Sequence, residues 1–219
     1  MNARDNILAR VRAALPKAEG AHAVRAHIDA HAISARPSIT GDLKARFCAE
    51  ARRLFSTVAE VASITDVPKA AAAYLTEHKL PMQAVCWPEF TALDWAAQGI
   101  AIEARPAREP DLVGITGAFC AIAETGTLMT LSGKDTPPVT SLLPETHIAV
   151  LRITQIVPAM EEAWQRLRYT YGQDGSKGFM PRAVNFISGP SRTADIEQTL
   201  TLGAHGPYRL HVILVNEGD

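Results

Sequence analysis

Ile148-Ala149-Val150-Leu151, then Pro158 leading into Met160, Ala163, Trp164 and Leu167, then Ala183-Val184-Asn185-Phe186-Ile187, is the stretch that decides the fold. The first four residues form a short continuous apolar run, as expected of a strand buried on both faces. Pro158 suits the first turn of a helix. The apolar residues at 160, 163, 164 and 167 fall on one helical face and carry that helix to about Tyr169. A second strand follows at 183–187. Strand, helix and strand in succession form a crossover unit, which implies parallel pairing.

The same alternation extends in both directions. Toward the C-terminus, a helix is expected over 194–202, with Gly203 as its C-cap, and a closing strand over 210–215. Toward the N-terminus, the run Leu112 to Leu131 is cut at Gly114, Gly117 and Gly126, and Gly133 follows it, which suits short strands and tight turns. Further strands are expected at 100–103 and 84–87. Helices are expected at 90–97 and at 66–79, the latter opened by Asp66 and Pro68. The pattern predicts an α/β fold: a Rossmann-like sandwich with a mostly parallel sheet covered on both faces.

Before residue 63 the character changes. Residues 1–55 carry ten basic and five acidic side chains, against twelve and eighteen in the remainder. Ile7, Leu8, Val11, Ala14 and Leu15 share one helical face, residues 21–38 show no period, and 42–61 read as a long amphipathic helix. The division expected is a helical N-terminal arm over 1–62, packing on an α/β domain over 63–219. His22, His27 and His31 have no metal-ligand spacing and read as loop residues.

Composition excludes several function classes. The 219 residues are 47% apolar and 21% charged, with 22 basic against 23 acidic side chains. That balance disfavours a nucleic-acid binder. No apolar run reaches the length of about 18 residues needed to span a membrane. The start Met1-Asn2-Ala3-Arg4-Asp5-Asn6 has no apolar segment of a secretory leader, which leads to the expectation of a cytoplasmic protein. Cys48, Cys86 and Cys120 are isolated, so neither a zinc knuckle nor a local iron–sulfur run is expected, and no bound metal or cofactor.

Ligands of open α/β sheets bind beyond the carboxyl ends of strands, and three segments fall there. The first is Gly114-Ile115-Thr116-Gly117 with Ala123-Glu124-Thr125-Gly126-Thr127-Leu128. Glu124 at a strand end can serve as base, nucleophile or hydrogen-bond acceptor, with Thr116, Gly117, Thr125, Gly126 and Thr127 around a ligand. The same residues also read as a plain β-hairpin. The second is Ser188-Gly189-Pro190-Ser191-Arg192-Thr193-Ala194-Asp195, placed to open a helix. Ser188, Gly189, Ser191, Arg192 and Thr193 there suit a phosphate or carboxylate, or simply cap the helix. The third is Gly203-Ala204-His205-Gly206-Pro207, where His205 can reach the same cleft as a donor or proton carrier beside Gly206. His147 and His211 are assigned to strands with no role. A hydrolase nucleophile elbow, a P-loop and a dinucleotide fingerprint each fail at required positions.

Taken in order, Ile115-Thr116-Gly117, Ala123-Glu124-Thr125-Gly126-Thr127-Leu128, Pro144-Glu145-Thr146-His147-Ile148-Ala149-Val150, Ser188-Gly189-Pro190-Ser191-Arg192-Thr193-Ala194-Asp195-Ile196-Glu197 and Leu202-Gly203-Ala204-His205-Gly206-Pro207 resemble the LUD-domain family, of the lactate utilization protein C type. The resemblance implies a fold similar to the NagB/ribose-5-phosphate isomerase/CoA-transferase-like group. It implies a part in oxidising L-lactate to pyruvate, alongside partner proteins that bear iron–sulfur clusters. It hands over no catalytic residue. Glu124 and His205 as catalytic groups, and Arg192 as the anchor of a small carboxylate, are inferred from chemistry and from analogy with the fold group.

Three functional readings follow. The first is a subunit of an L-lactate-oxidising complex that supplies a small-anion-binding cleft. The second is a stand-alone enzyme acting on a phosphorylated or CoA-linked metabolite. The third is a non-catalytic assembly or regulatory subunit. A homo-oligomer is compatible with each.

Overall fold

The computed structural model describes residues 3–14, 26–27, 39–171, 180–193, 201–203 and 205–217. The chain divides into two compact units, Met1–Ser38 and Ile39–Asp219. In the first, helix α1 spans Ala3–Ala14. The linker expected over 21–38 lies almost wholly outside the described residues.

The second unit begins with helix α2, Leu43–Arg53, capped by Asp42, whose carboxylate accepts from the Ala45 amide at 3.0 Å. Strand β1 is Thr57–Val61 and helix α3 is Val67–Glu77. Strands β2 (Gln83–Cys86), β3 (Ala101–Ala104), β4 (Val113–Gly117), β5 (Cys120–Ile122) and β6 (Thr127–Leu131) follow. Then come the short helix α4 (Val139–Leu142), β7 (Thr146–Arg152), β8 (Ile156–Val157) and helix α5 (Met160–Tyr171). The chain closes with β9 (Val184–Ile187), β10 (Arg192–Thr193), β11 (Thr201–Leu202) and β12 (Arg209–Val215).

Six strands form one sheet in the order β1-β12-β7-β4-β2-β3. Every pairing in it is parallel. A second sheet, β8-β5-β6-β9, is mixed. The main sheet has unlike coverings on its two faces. On one, Ile115, Ile148, Val150, Ile213 and Val215 pack under α3 residues Val67, Ala71, Tyr74 and Leu75. On the other, Ala149, Leu151, Val212 and Leu214 meet Phe47, Cys48 and Ala51 of α2 together with Ala121 and Leu128 of the second sheet. The far side of the second sheet buries Cys120, Ile122 and Met129 against Ala163 and Leu167 of α5. The mostly parallel α/β sandwich expected from the sequence is the architecture observed.

Four expectations are corrected. The strand at 184–187, read above as completing a parallel crossover from 148–151, lies in the second sheet and pairs antiparallel with β6. The helix expected over 42–61 ends at Arg53, because Phe55 turns left-handed at φ 67°. Its amide donates to Arg52 O at 2.9 Å and the Ser56 amide to Ala51 O at 3.0 Å, the paired bonds of a Schellman closure. Residues 57–61 then pair along β12 over five positions. Residues 43–61, assigned above to an N-terminal arm, are thus integral to the α/β unit. The helix expected at 90–97 is two 3₁₀ turns, Pro88–Phe90 and Ala96–Gln98. The helix expected over 194–202 cannot extend to its end, since 201–202 pair antiparallel with Arg192–Thr193; residues 194–200 lie outside the described residues.

Two buried histidines carry a pH liability. His147 bonds Thr116 Oγ1 through Nε2 at 2.7 Å, and burial pushes it down to about 3. The Thr116 hydroxyl donates to Gly117 O at 3.0 Å, so Nε2 is the protonated nitrogen of a neutral ring. His211 bonds Thr57 Oγ1 through Nδ1 at 2.7 Å and stacks on Tyr74 at 3.9 Å. Burial, with His78 nearby, pushes it down to about 4. The unfolded rings titrate near 6.5. Their contribution is therefore complete above pH 6.5 and lost as pH falls toward 4, at about 1.4 kcal/mol per pH unit for each ring. Urea denaturation at a series of pH values should show stability falling across that window, with a shallower slope in His211→Gln. Equal slopes in the two proteins would contradict this account.

Candidate functional site

The 123–128 part of the first segment meets the second and third segments at one end of the second sheet. The first segment does form a β-hairpin: β5 and β6 pair antiparallel, with residues 123–126 as their turn. Glu124 is half-buried in that turn and its amide donates to Pro158 O at 3.0 Å. From the turn a line of hydroxyls runs to the surface. Thr125 Oγ1 lies 2.8 Å from Thr127 Oγ1, which lies 2.6 Å from the exposed Ser188 Oγ. The register that places them is β6 against β9, with Leu128 opposite Ile187.

Two glycines let this assembly close on α2. Gly126 has φ 63°, and a Cβ there would strike the backbone of Glu50 and Ala51. Gly189 has φ 81°, and a Cβ there would strike Leu54 O. Neither glycine is spared for a ligand; both admit a backbone. Beside them, Arg192 lays its guanidinium on the Phe55 ring, 3.6 Å from the centroid. Phe55 and Arg192 are both exposed. Arg192 has no carboxylate partner among the described residues.

Ser191 ties in the third segment. Its amide donates to Pro207 O at 2.8 Å, its carbonyl accepts from Gly203 N at 3.0 Å, and its hydroxyl accepts from His205 N at 3.2 Å. A Cβ on Gly206 would touch Ser191 Cβ at 3.4 Å. The Ser191 amide is thus used internally, and Arg192–Thr193 are strand rather than the first turn of a helix. The charge of Arg192, not a helix end, is what can attract an anion here. His205 is exposed beside it.

Thr116 and Gly117 lie elsewhere. Thr116 is fully buried, with its hydroxyl committed to His147. Gly117, at the carboxyl end of β4, lines a cleft of about 430 Å³ with Glu89, Arg152, Gln155 and Arg166. A Cβ on Gly117 would lie 2.6 Å from Glu89 Oε1. Glu89 is exposed by surface area, yet the protein around its carboxyl strips enough solvent to push its pKa up, opposed by the Arg152 guanidinium. Sequence reasoning missed this cleft, although the rule that found the other segments applied to it. Arg152 directly follows the apolar run 148–151, and Glu89 stands three residues past the end of β2.

The comparisons agree with the motifs. Residues 43–215 match the LUD domain, and the chain belongs to that family. Lactate utilization protein C of an Exiguobacterium species is 42% identical over 105 residues, covering 48% of this chain and 44% of that protein. Lactate utilization protein C of Bacillus subtilis is 40% identical over 105 residues, covering 48% and 42%. That of Bacillus velezensis is 35% identical over 133 residues, covering 60% and 54%. The chain spans about half the length of the curated relatives it matches. A crystal structure of a DUF162 family protein from Deinococcus radiodurans superposes with a TM-score of 0.56 at 23% identity, over 79% of this chain and 96% of that one. That likeness supports the fold. Among the described residues no helix is long and apolar enough to cross a membrane.

The glycine contacts give a direct test. Gly189→Ala combines a left-handed backbone with a collision at Leu54 O and should cost about 1–3 kcal/mol. Chemical denaturation should place the midpoint well below that of the parent. A midpoint within error of it would show that the loop does not press on α2.

Proposed function

We propose that this chain acts in the oxidation of L-lactate to pyruvate, as one subunit of an assembly whose partners bear iron–sulfur clusters. In this reading the loop cluster around Arg192 holds the substrate. The observation that carries it is the Arg192 guanidinium, stacked on Phe55 beside the hydroxyl line Thr125–Thr127–Ser188 and without an acidic partner among the described residues. A guanidinium held flat on a ring offers its N–H edge to a planar carboxylate at little further entropic cost. In this reading the exposed Ser188 hydroxyl, four residues before Arg192, supplies a further donor. Membership of the LUD family and the names of the relatives supply the substrate class.

Lactate gives up two electrons and two protons on becoming pyruvate. Glu124, half-buried in the hairpin turn, takes the proton of the substrate hydroxyl, and exposed His205 carries off the second proton, released as the α-carbon C–H bond breaks and its electron pair leaves. The electrons go to the iron–sulfur partner. The cysteines of this chain are poorly suited to accept them. Cys48, Cys86 and Cys120 are buried on α2, β2 and β5, and burial pushes each thiol up.

Calorimetric titration of L-lactate into the protein tests the anchor. Arg192→Ala should weaken binding at least tenfold, about 1.4 kcal/mol, with an unchanged circular dichroism spectrum. Arg192→Lys should fall between, because an ammonium lacks the two-pronged geometry. Equal affinity in Arg192→Ala and the parent would remove Arg192 from the site.

A further inference from the structure

The cleft beyond β2, β4 and β7 is unused by that reading, and its chemistry differs from that of the loop cluster. Its charged lining is two guanidiniums, Arg152 and Arg166, against one carboxylate, Glu89. Its uncharged wall mixes aromatic residues, among them Trp87, Phe119 and Tyr171, with aliphatic and polar ones such as Leu131, Val150 and Gln155. Several of these groups are held in place. The Trp87 indole donates to Pro137 O at 3.3 Å. Arg166 donates to Thr154 O at 3.3 Å and sits 5.7 Å over the Phe119 ring. Glu89 lies across Gly117, in the space a side chain there would take.

The size and the wall both suit a ligand larger than a three-carbon acid. At about 30 Å³ for each water-sized group, 430 Å³ has room for roughly fourteen of them. The six non-hydrogen atoms of lactate fill less than half. Aromatic rings beside guanidiniums favour a ligand that is planar and apolar at one end and anionic at the other. The placement of Glu89 supplies the third element. It follows β2, whose neighbour β4 ends at a glycine under the ligand space. A carboxylate at a strand end beside the ligand space accepts hydrogen bonds from ligand hydroxyls, the role an acidic residue plays toward ribose in dinucleotide folds, though here a strand and not a helix follows Gly117.

The geometry points to this cleft as a binding site for a ribonucleoside monophosphate. Arg152 and Arg166 take the phosphate, Glu89 accepts from the ribose hydroxyls, and the base lies against Phe119 and Tyr171. Gly117 is the positioning residue that leaves room for the Glu89 carboxylate. The assignment requires that lactate binds elsewhere, as in the reading above.

Calorimetry on the full chain tests it with the four ribonucleoside monophosphates, their 2′-deoxy counterparts, inorganic phosphate and L-lactate as separate titrants. At least one ribonucleotide should bind, with its deoxy counterpart and inorganic phosphate each at least tenfold weaker. Arg166→Ala should weaken the ribonucleotide at least tenfold. Glu89→Gln should do the same and shrink the preference over the deoxy form. Gly117→Ala meets only the end of a flexible side chain, so it should keep the parent stability and still lose that preference. Binding of none of the ribonucleotides, phosphate binding as tightly as they do, or affinities untouched by Arg166→Ala and Gly117→Ala would each overturn the proposal. So would L-lactate affinity that is lost in Glu89→Gln and kept in Arg192→Ala, since the cleft would then be the lactate site.

Discussion

Gly126 and Gly189 come from different loops, and both bring backbone against the last turn of α2, between Glu50 and Leu54. Close backbone approach of this kind leaves no room for adjustment, since neither partner has a rotamer to change. It fixes the β5–β6 hairpin and the loop after β9 to one helix end. Phe55, the residue that closes that helix, is thereby presented to Arg192. A phenylalanine in a left-handed conformation is costly, and glycine is the usual occupant of this position in a Schellman closure. The ring placed there is 65% exposed and adds little to the core. Its one evident physical use is as the platform for the guanidinium.

Two candidate sites form around the main sheet. The strand ends of β2, β4 and β7 open into the cleft that holds Glu89, walled across from them by Phe119, by Leu131 of β6 and by Arg166 and Tyr171 of α5. Where the second sheet and α2 cover the main sheet, the hairpin carries its polar turn away from those strand ends and toward Ser188. The buried Thr116–His147 pair adjoins Gly117, where it satisfies polar atoms in the core and leaves the glycine facing the cleft. Two recognition surfaces of different chemistry thus form on one α/β unit: one turns on a single arginine, the other on a walled volume.

The alternation of strands and helices from residue 66 onward was legible because parallel strands buried on both faces show as uninterrupted apolar runs, such as 148–151. What was not legible is local. Nothing in Phe55 signals a helix end, because the stop comes from a left-handed turn that the residue type disfavours. The amphipathic pattern therefore runs on and disguises β1 as helix. The polar segments of the hairpin, of 188–193 and of 203–207 are marked in the sequence by glycine-rich turns at strand ends, and hydrogen bonds join them in the structure. Their internal roles were not visible: Thr116 is spent in the core, and the Ser191 amide bonds Pro207. Glu89 escaped notice because it belongs to no repeat or motif. Only the pairing of β2 beside β4 brings it to Gly117.

Lactate-dependent dye reduction, measured in extracts of a strain that lacks only this chain and carries no duplicate gene, tests most directly whether this LUD-domain protein takes part in lactate oxidation. The activity should be lost, and should return when the purified wild-type protein is added back. Undiminished activity in the deficient extract would contradict a role in lactate oxidation.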